Sequence, residues 1–103
     1  MAEQKLETRF AEAWANCWAR MDALGIGTAR MRKQAEEQGH LNAAHRILSG
    51  RRCSDGFAAL AEKGQLKLSL EALILEPAWG SLFADEEANE ALSRLMEAGY
   101  WKG

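Results

Sequence analysis

The chain has 103 residues, 48% hydrophobic and 27% charged, with a formal net charge of −2. That length allows one core and leaves no room for a second domain with a core of its own, so residues 1–103 read as a single domain. The longest apolar runs, 57–61 and 72–75, fall far short of the roughly 18–20 residues that cross a bilayer, and one proline excludes a Pro-rich or collagen-like chain.

Segment 3–24 carries Leu6, Phe10, Trp14, Cys17, Met21 and Leu24 at steps of three and four. That spacing puts all six on one face of a helix. Glu3 and Glu7 sit near its positive end. Gly25 followed by Ile26 predicts a left-handed cap with the hydrophobic contact of a Schellman stop.

A second helix is expected from the cap Thr28 to Gly39, with only Ala29, Met31 and Ala35 as apolar content. Such a helix is largely solvated or covers a partner. A third runs from Asn42 to Ser49, packing Leu41, Ala44 and Leu48 and stopping at Gly50. A fourth runs from the cap Ser54 to Gly64 and buries Phe57, Leu60 and Ala61. A fifth starts at Ser69 and ends near Leu75, because Glu76 precedes Pro77 and is biased away from helix. Pro77 opens a short turn through Trp79 to Phe83. The last helix runs from the cap Asp85 to Ala98, with Ala88, Ala91, Leu92, Leu95 and Met96 as its stripe and Gly99 as its stop.

Valine is absent, and Leu66-Lys67-Leu68 alternates over too few residues to define a strand. The fold class expected is all-α: a compact single-domain bundle of six or seven short helices joined by glycine-centred turns.

Charge is spread unevenly. Residues 28–52 carry a net +4 and residues 53–103 a net −5. The basic side chains Arg30, Arg32, Lys33, Arg51 and Arg52 form one candidate patch for phosphate or an acidic protein surface. The acids Asp85, Glu86, Glu87 and Glu90 open the last helix, where the dipole favours them. The same four acids would also give a face that docks on a basic groove in place of nucleic acid. Four tryptophans are present, and Trp18 and Trp101 lie at the edges of the apolar pattern. Both are candidate anchors at a protein interface.

Motifs for chemistry are missing. His40 and His45 are five apart with no carboxylate to complete a zinc set, so no metal is expected. Neither G-x-x-x-x-G-K nor G-x-G-x-x-G occurs, and no cofactor is expected. His45, Cys53, Ser54 and Asp55 could form a nucleophilic group, but Ser54 is better explained as a cap. Cys53 follows Arg51 and Arg52, which would lower its pKa. Ala35 and Gly39 have the spacing of a helix-turn-helix, yet Gln34, Gln38, His40 and His45 stand where such a unit needs apolar anchors.

The run Ser54-Asp55-Gly56-Phe57, followed by Leu68-Ser69-Leu70-Glu71-Ala72-Leu73 and Glu76-Pro77, resembles small proteins carried by proteobacterial phages and integrative elements. That pool includes anti-CRISPR inhibitors. The resemblance spans 45–100 and transfers no functional residue. It implies a non-enzymatic protein from a mobile element that sterically blocks a multisubunit CRISPR effector complex. The alternative is a helical DNA-binding regulator using the basic 28–52 segment. With two isolated thiols and no apolar leader, the expected location is the cytoplasm of a bacterial host.

Overall fold

The structure, a computed structural model, describes residues 2–100 and the side chains of 5–100. Its described residues form six α-helices and two short 3-10 helices: α1 (Ala2–Ala23), α2 (Ala29–Gln38), α3 (His40–Ser49), α4 (Phe57–Glu62), α5 (Leu70–Ile74) and α6 (Asp85–Glu97), with 3-10 turns at Leu66–Leu68 and Pro77–Leu82. The fold is all-α. No helix of the described residues is long and apolar enough to cross a membrane.

The predicted stripe of α1 forms the spine of the core from Leu6 to Met21, whereas Leu24, expected on it, is 36% exposed. Phe10, Trp14, Cys17 and Met21 are buried along it. Phe10 meets Trp14, Trp79 and Phe83 at ring separations of 5.9, 5.6 and 5.3 Å. The turn after Pro77 therefore works as a lid that closes two aromatic rings over α1. Aromatic pairs in these tilted and edge-on geometries add about 0.5–1.5 kcal/mol each beyond their buried area. The end of α1 is the expected Schellman stop. Ile26 N–H donates to the Met21 carbonyl at 2.9 Å, Gly25 N–H donates to Asp22 at 3.0 Å, and Gly25 has φ +81°.

Helices α4 and α5 have six and five residues. Helices that short do not persist alone in water. Buried Phe57 and Leu60 hold the first, and buried Leu70, Leu73 and Ile74 hold the second. Ser69 caps α5 as expected, its hydroxyl accepting from Ala72 N–H at 3.2 Å. Leu66-Lys67-Leu68, unassigned in the sequence reading, is a 3-10 turn that buries both leucines.

Four further expectations are corrected. Helix α3 begins at His40, directly after Gly39, rather than at Asn42. Ser54 does not cap α4; Gly56 precedes that helix, and the Ser54 side chain is turned inward. Ala84, not Asp85, is the N-cap of α6, because the Glu87 carboxylate accepts from Ala84 N–H at 2.9 Å. The stripe of α6 is also rotated. Ala91, Arg94 and Leu95 face the core, whereas Leu92 and Met96 are 37% and 55% exposed. Arg94, which lies outside the expected stripe, is buried on the core face.

That arginine belongs to a buried network. Glu71 is fully buried on α5, and its carboxylate accepts from Arg94 Nη1 at 3.1 Å, from Ser54 N–H at 2.8 Å and from the Ser54 hydroxyl at 2.6 Å. Arg94 also donates to the carbonyls of Leu48 at 3.2 Å and Gly50 at 2.8 Å, and to Glu90 at 2.7 Å. Burial alone would lower the guanidinium pKa, but hydrogen bonds from Arg94 to Glu90 and Glu71 hold it above its ordinary value. One ion pair thus ties α5 and α6 to the end of α3 and to both ends of the segment 50–54.

Candidate binding groove

The segment fixed by that network lies against α2 and α3, and the three together wall an open groove of about 450 Å³. Arg30 comes from α2, Arg46 from α3, and Arg51 and Arg52 from the loop after it. Met31 and Ile47 supply apolar surface between them, and Asp55 is the one carboxylate of the lining. Asp55 lies 3.7 Å from Arg30, whose side chain is 89% exposed. An ion pair that exposed is weak. Among the described residues, Arg46, Arg51 and Arg52 have no carboxylate within ion-pair distance.

The sequence-predicted basic patch is therefore brought together in part. Arg30, Arg51 and Arg52 converge. Arg46 joins them, and sequence reasoning missed it. Its signal was available, since Arg46 stands one turn before the Gly50 that leads to Arg51. Arg32 does not take part. It donates to Asp22 at 2.6 Å and to the Thr28 hydroxyl at 2.9 Å, and its guanidinium lies 5.4 Å over the Trp18 ring. Lys33 is exposed on α2 but does not line the groove.

Trp18 is not a surface anchor. It is 4% exposed, packed on Trp14 at 4.8 Å and stacked on His40 at 5.5 Å. Its place at the stripe's edge is filled by the α2–α3 hairpin, which the sequence pattern did not locate over it. Trp101 lies outside the described residues.

The acidic group is divided. Asp85 and Glu86 are exposed at the start of α6. Glu87 holds Ala84 N–H and pairs with His45 Nδ1. Glu90 accepts from Arg94. Two of the four acids are thus committed to holding α6 in place.

His45 faces Glu87 and the Phe83 ring, at 5.1 Å, while Cys53 lines the arginine groove. The nucleophilic group considered from the sequence is not assembled as one constellation. Among the described residues no set of three His, Cys, Asp or Glu side chains could hold a metal ion. The Cys53 thiol is pushed above its ordinary value, chiefly by partial burial and then by Glu71, with Arg94 opposing. This reverses the lowering expected from Arg51 and Arg52, because partial burial, and after it the Glu71 carboxylate, raises the thiol while those two exposed arginines do not offset it.

A thiol titration checks this assignment. With Ellman's reagent, one equivalent should react in the native protein, more slowly than free cysteine at pH 8, because less thiolate is present. The second equivalent, buried Cys17, should appear only in denaturant. Fast reaction of Cys53 at pH 7 would contradict the assignment.

The α2–α3 pair, whose Ala35 and Gly39 have the helix-turn-helix spacing, is joined more tightly than that spacing suggests. Gly39 joins α2 to α3 alone, with φ 88° and ψ 149°, outside the left-handed helical region. Ala43, early in the helix that would enter DNA, is fully buried. Comparisons with protein-family models, with curated proteins and with solved structures give no match to this chain.

Proposed function

We propose that the chain is a non-enzymatic binding protein whose working face is the arginine groove, acting as an inhibitor of the kind carried by phages and integrative elements. The observation that carries this reading is the convergence of four arginines from α2, α3 and the following loop on one hollow with one carboxylate. Arg46, Arg51 and Arg52 have no carboxylate within ion-pair distance among the described residues, so an anionic partner would supply the charge that the groove lacks. Arginine's planar fork also gives such a contact geometric specificity. The resemblance of 54–57 and 68–77 to mobile-element proteins supports an anti-CRISPR role, in which the groove occupies part of a multisubunit effector complex.

Size-exclusion chromatography with purified CRISPR effector complexes tests the proposal. Co-elution with one of them is expected, and failure to co-elute with any would overturn the anti-CRISPR role.

The second reading is a DNA-binding regulator that uses the basic 28–52 segment. Arg46, exposed on α3 beside Arg51 and Arg52, favours it, while the buried Ala43 and the geometry at Gly39 weigh against it.

A further inference from the structure

We infer that the groove binds nucleotide phosphates, with the backbone of a single strand on the arginines and a base against the apolar floor. This deepens the reading of the groove as the working face and rests on it. The charge comes first. Four arginines and one aspartate give the lining a net +3. A ligand with one carboxylate would neutralise a third of that, whereas successive phosphodiesters supply one negative charge each. Guanidinium groups match phosphate oxygens two at a time.

The floor comes second. Half-buried Ile47 and Met31, which is 2% exposed, are the apolar side chains of the lining, and Gln34 brings an amide with both a donor and an acceptor. A flat acidic protein surface would meet the rim and leave that floor unfilled. A base lies on an apolar floor readily, since every base has a flat face. Gln34 can then reach the base edge.

Size comes third. The hollow of about 450 Å³ falls within the roughly 300–1,000 Å³ of sites for small ligands. It admits one nucleotide, free or within a strand. A duplex is too wide to enter and would touch the rim alone.

Fluorescence anisotropy with a labelled single strand of about ten nucleotides, near the usual footprint of single-strand binders, provides the test. Binding is expected at low salt. With about three phosphates neutralised, affinity should fall about twentyfold between 50 and 200 mM salt. The exposed pair Arg46→Ala and Arg51→Ala, introduced together, should weaken binding at least tenfold, with an unchanged circular dichroism spectrum. Arg20→Ala, on α1 away from the groove, should not weaken it.

Unlabelled ATP distinguishes the two sources of phosphate. Displacement of the strand identifies the free nucleotide as a ligand, and no displacement assigns the site to the polymer. No binding at low salt would overturn the inference, as would equal binding by the groove pair and the wild type, or tighter binding of a duplex than of the strand. A protein that ignores the strand yet still co-elutes with an effector complex, and loses that co-elution in the groove pair, would refute the phosphate assignment and leave the working face in place.

Discussion

Replacing Arg94 with methionine will destabilise the protein by about 3–5 kcal/mol, the cost of breaking a buried ion pair from one side. The loss is large because, besides the half-exposed Glu90, three acceptors depend on this one side chain. Glu71 is left as a fully buried carboxylate, and the carbonyls of Leu48 and Gly50 lose their donor. Against a total stability of about 5–15 kcal/mol for a domain of this kind, that is a substantial fraction. Replacing a whole buried pair with apolar residues is often neutral, but here Ser54 N–H and its hydroxyl also rely on Glu71. The double variant Glu71→Gln with Arg94→Met should therefore stay destabilised. It should be more stable than Arg94→Met alone, since the buried charge is gone and the Gln carbonyl can still accept from Ser54. Urea unfolding of the four proteins measures this, with a coupling of about 0.5–3 kcal/mol expected between the two sites. A coupling near zero would mean that Glu71 and Arg94 are stabilised separately.

The second large effect is Gly56→Ala. Gly56 has φ +82°, and a Cβ there would stand 2.7 Å from both Ile26 Cγ2 and Met21 Cε. The left-handed backbone costs about 1–2 kcal/mol for an L-residue, and forcing atoms into a packed core adds about 1–3. A total of about 2–5 kcal/mol is expected. Gly64 separates the two terms. It has φ +68° and nothing within 4 Å of its would-be Cβ, so Gly64→Ala should cost only the backbone term. Urea midpoints of the two variants check this. Equal losses would show that the loop before α4 does not pack on the end of α1 as described.

Much of this architecture is legible in the sequence because apolar spacing and glycine punctuation are local signals. The stripe of α1 and its stop at Gly25 and Ile26 follow from residues within about one turn of each other, and they are present in the fold. The start of α5 at Ser69 and its end before Pro77 are legible for the same reason. What was hidden depends on distant pairs. Glu71 and Arg94 are 23 positions apart, and each alone looks like an ordinary surface charge. With both buried, the core face of α6 runs through Arg94 rather than Leu92 and Met96, and Ser54 donates to Glu71 instead of capping α4. Trp18 was misplaced because the α2–α3 hairpin that covers it leaves no mark in its own segment.

The candidate site was legible in composition and not in membership. The net +4 of residues 28–52 pointed to the region where the arginine groove lies. Which arginines converge is decided by helix facing and by competing carboxylates. Asp22 and Trp18 draw Arg32 away, while Arg46 is left facing Arg51 and Arg52 with no partner among the described residues. Among the acids, the tie of Glu87 to His45 on α3 becomes visible only in three dimensions, whereas the pairing of Glu90 with Arg94 lies within α6 at a spacing of four.

The buried pair also bears on function. Arg94 holds Gly50, and Glu71 holds Ser54, so the residues that carry Arg51 and Arg52 are fixed at both ends. If the groove is the working face, its backbone is held in place beforehand, which would spare ordering cost on binding.

The most direct measurement is capture of an effector complex by two charge-reversed proteins compared side by side on size exclusion. One carries Arg46→Glu, Arg51→Glu and Arg52→Glu in the groove, and the other carries Asp85→Lys and Glu86→Lys at the start of α6. If the groove is the working face, the first variant elutes alone and the second still travels with the complex. Retention of the groove variant with loss of the α6 variant would contradict the account and move the working face to the acidic end.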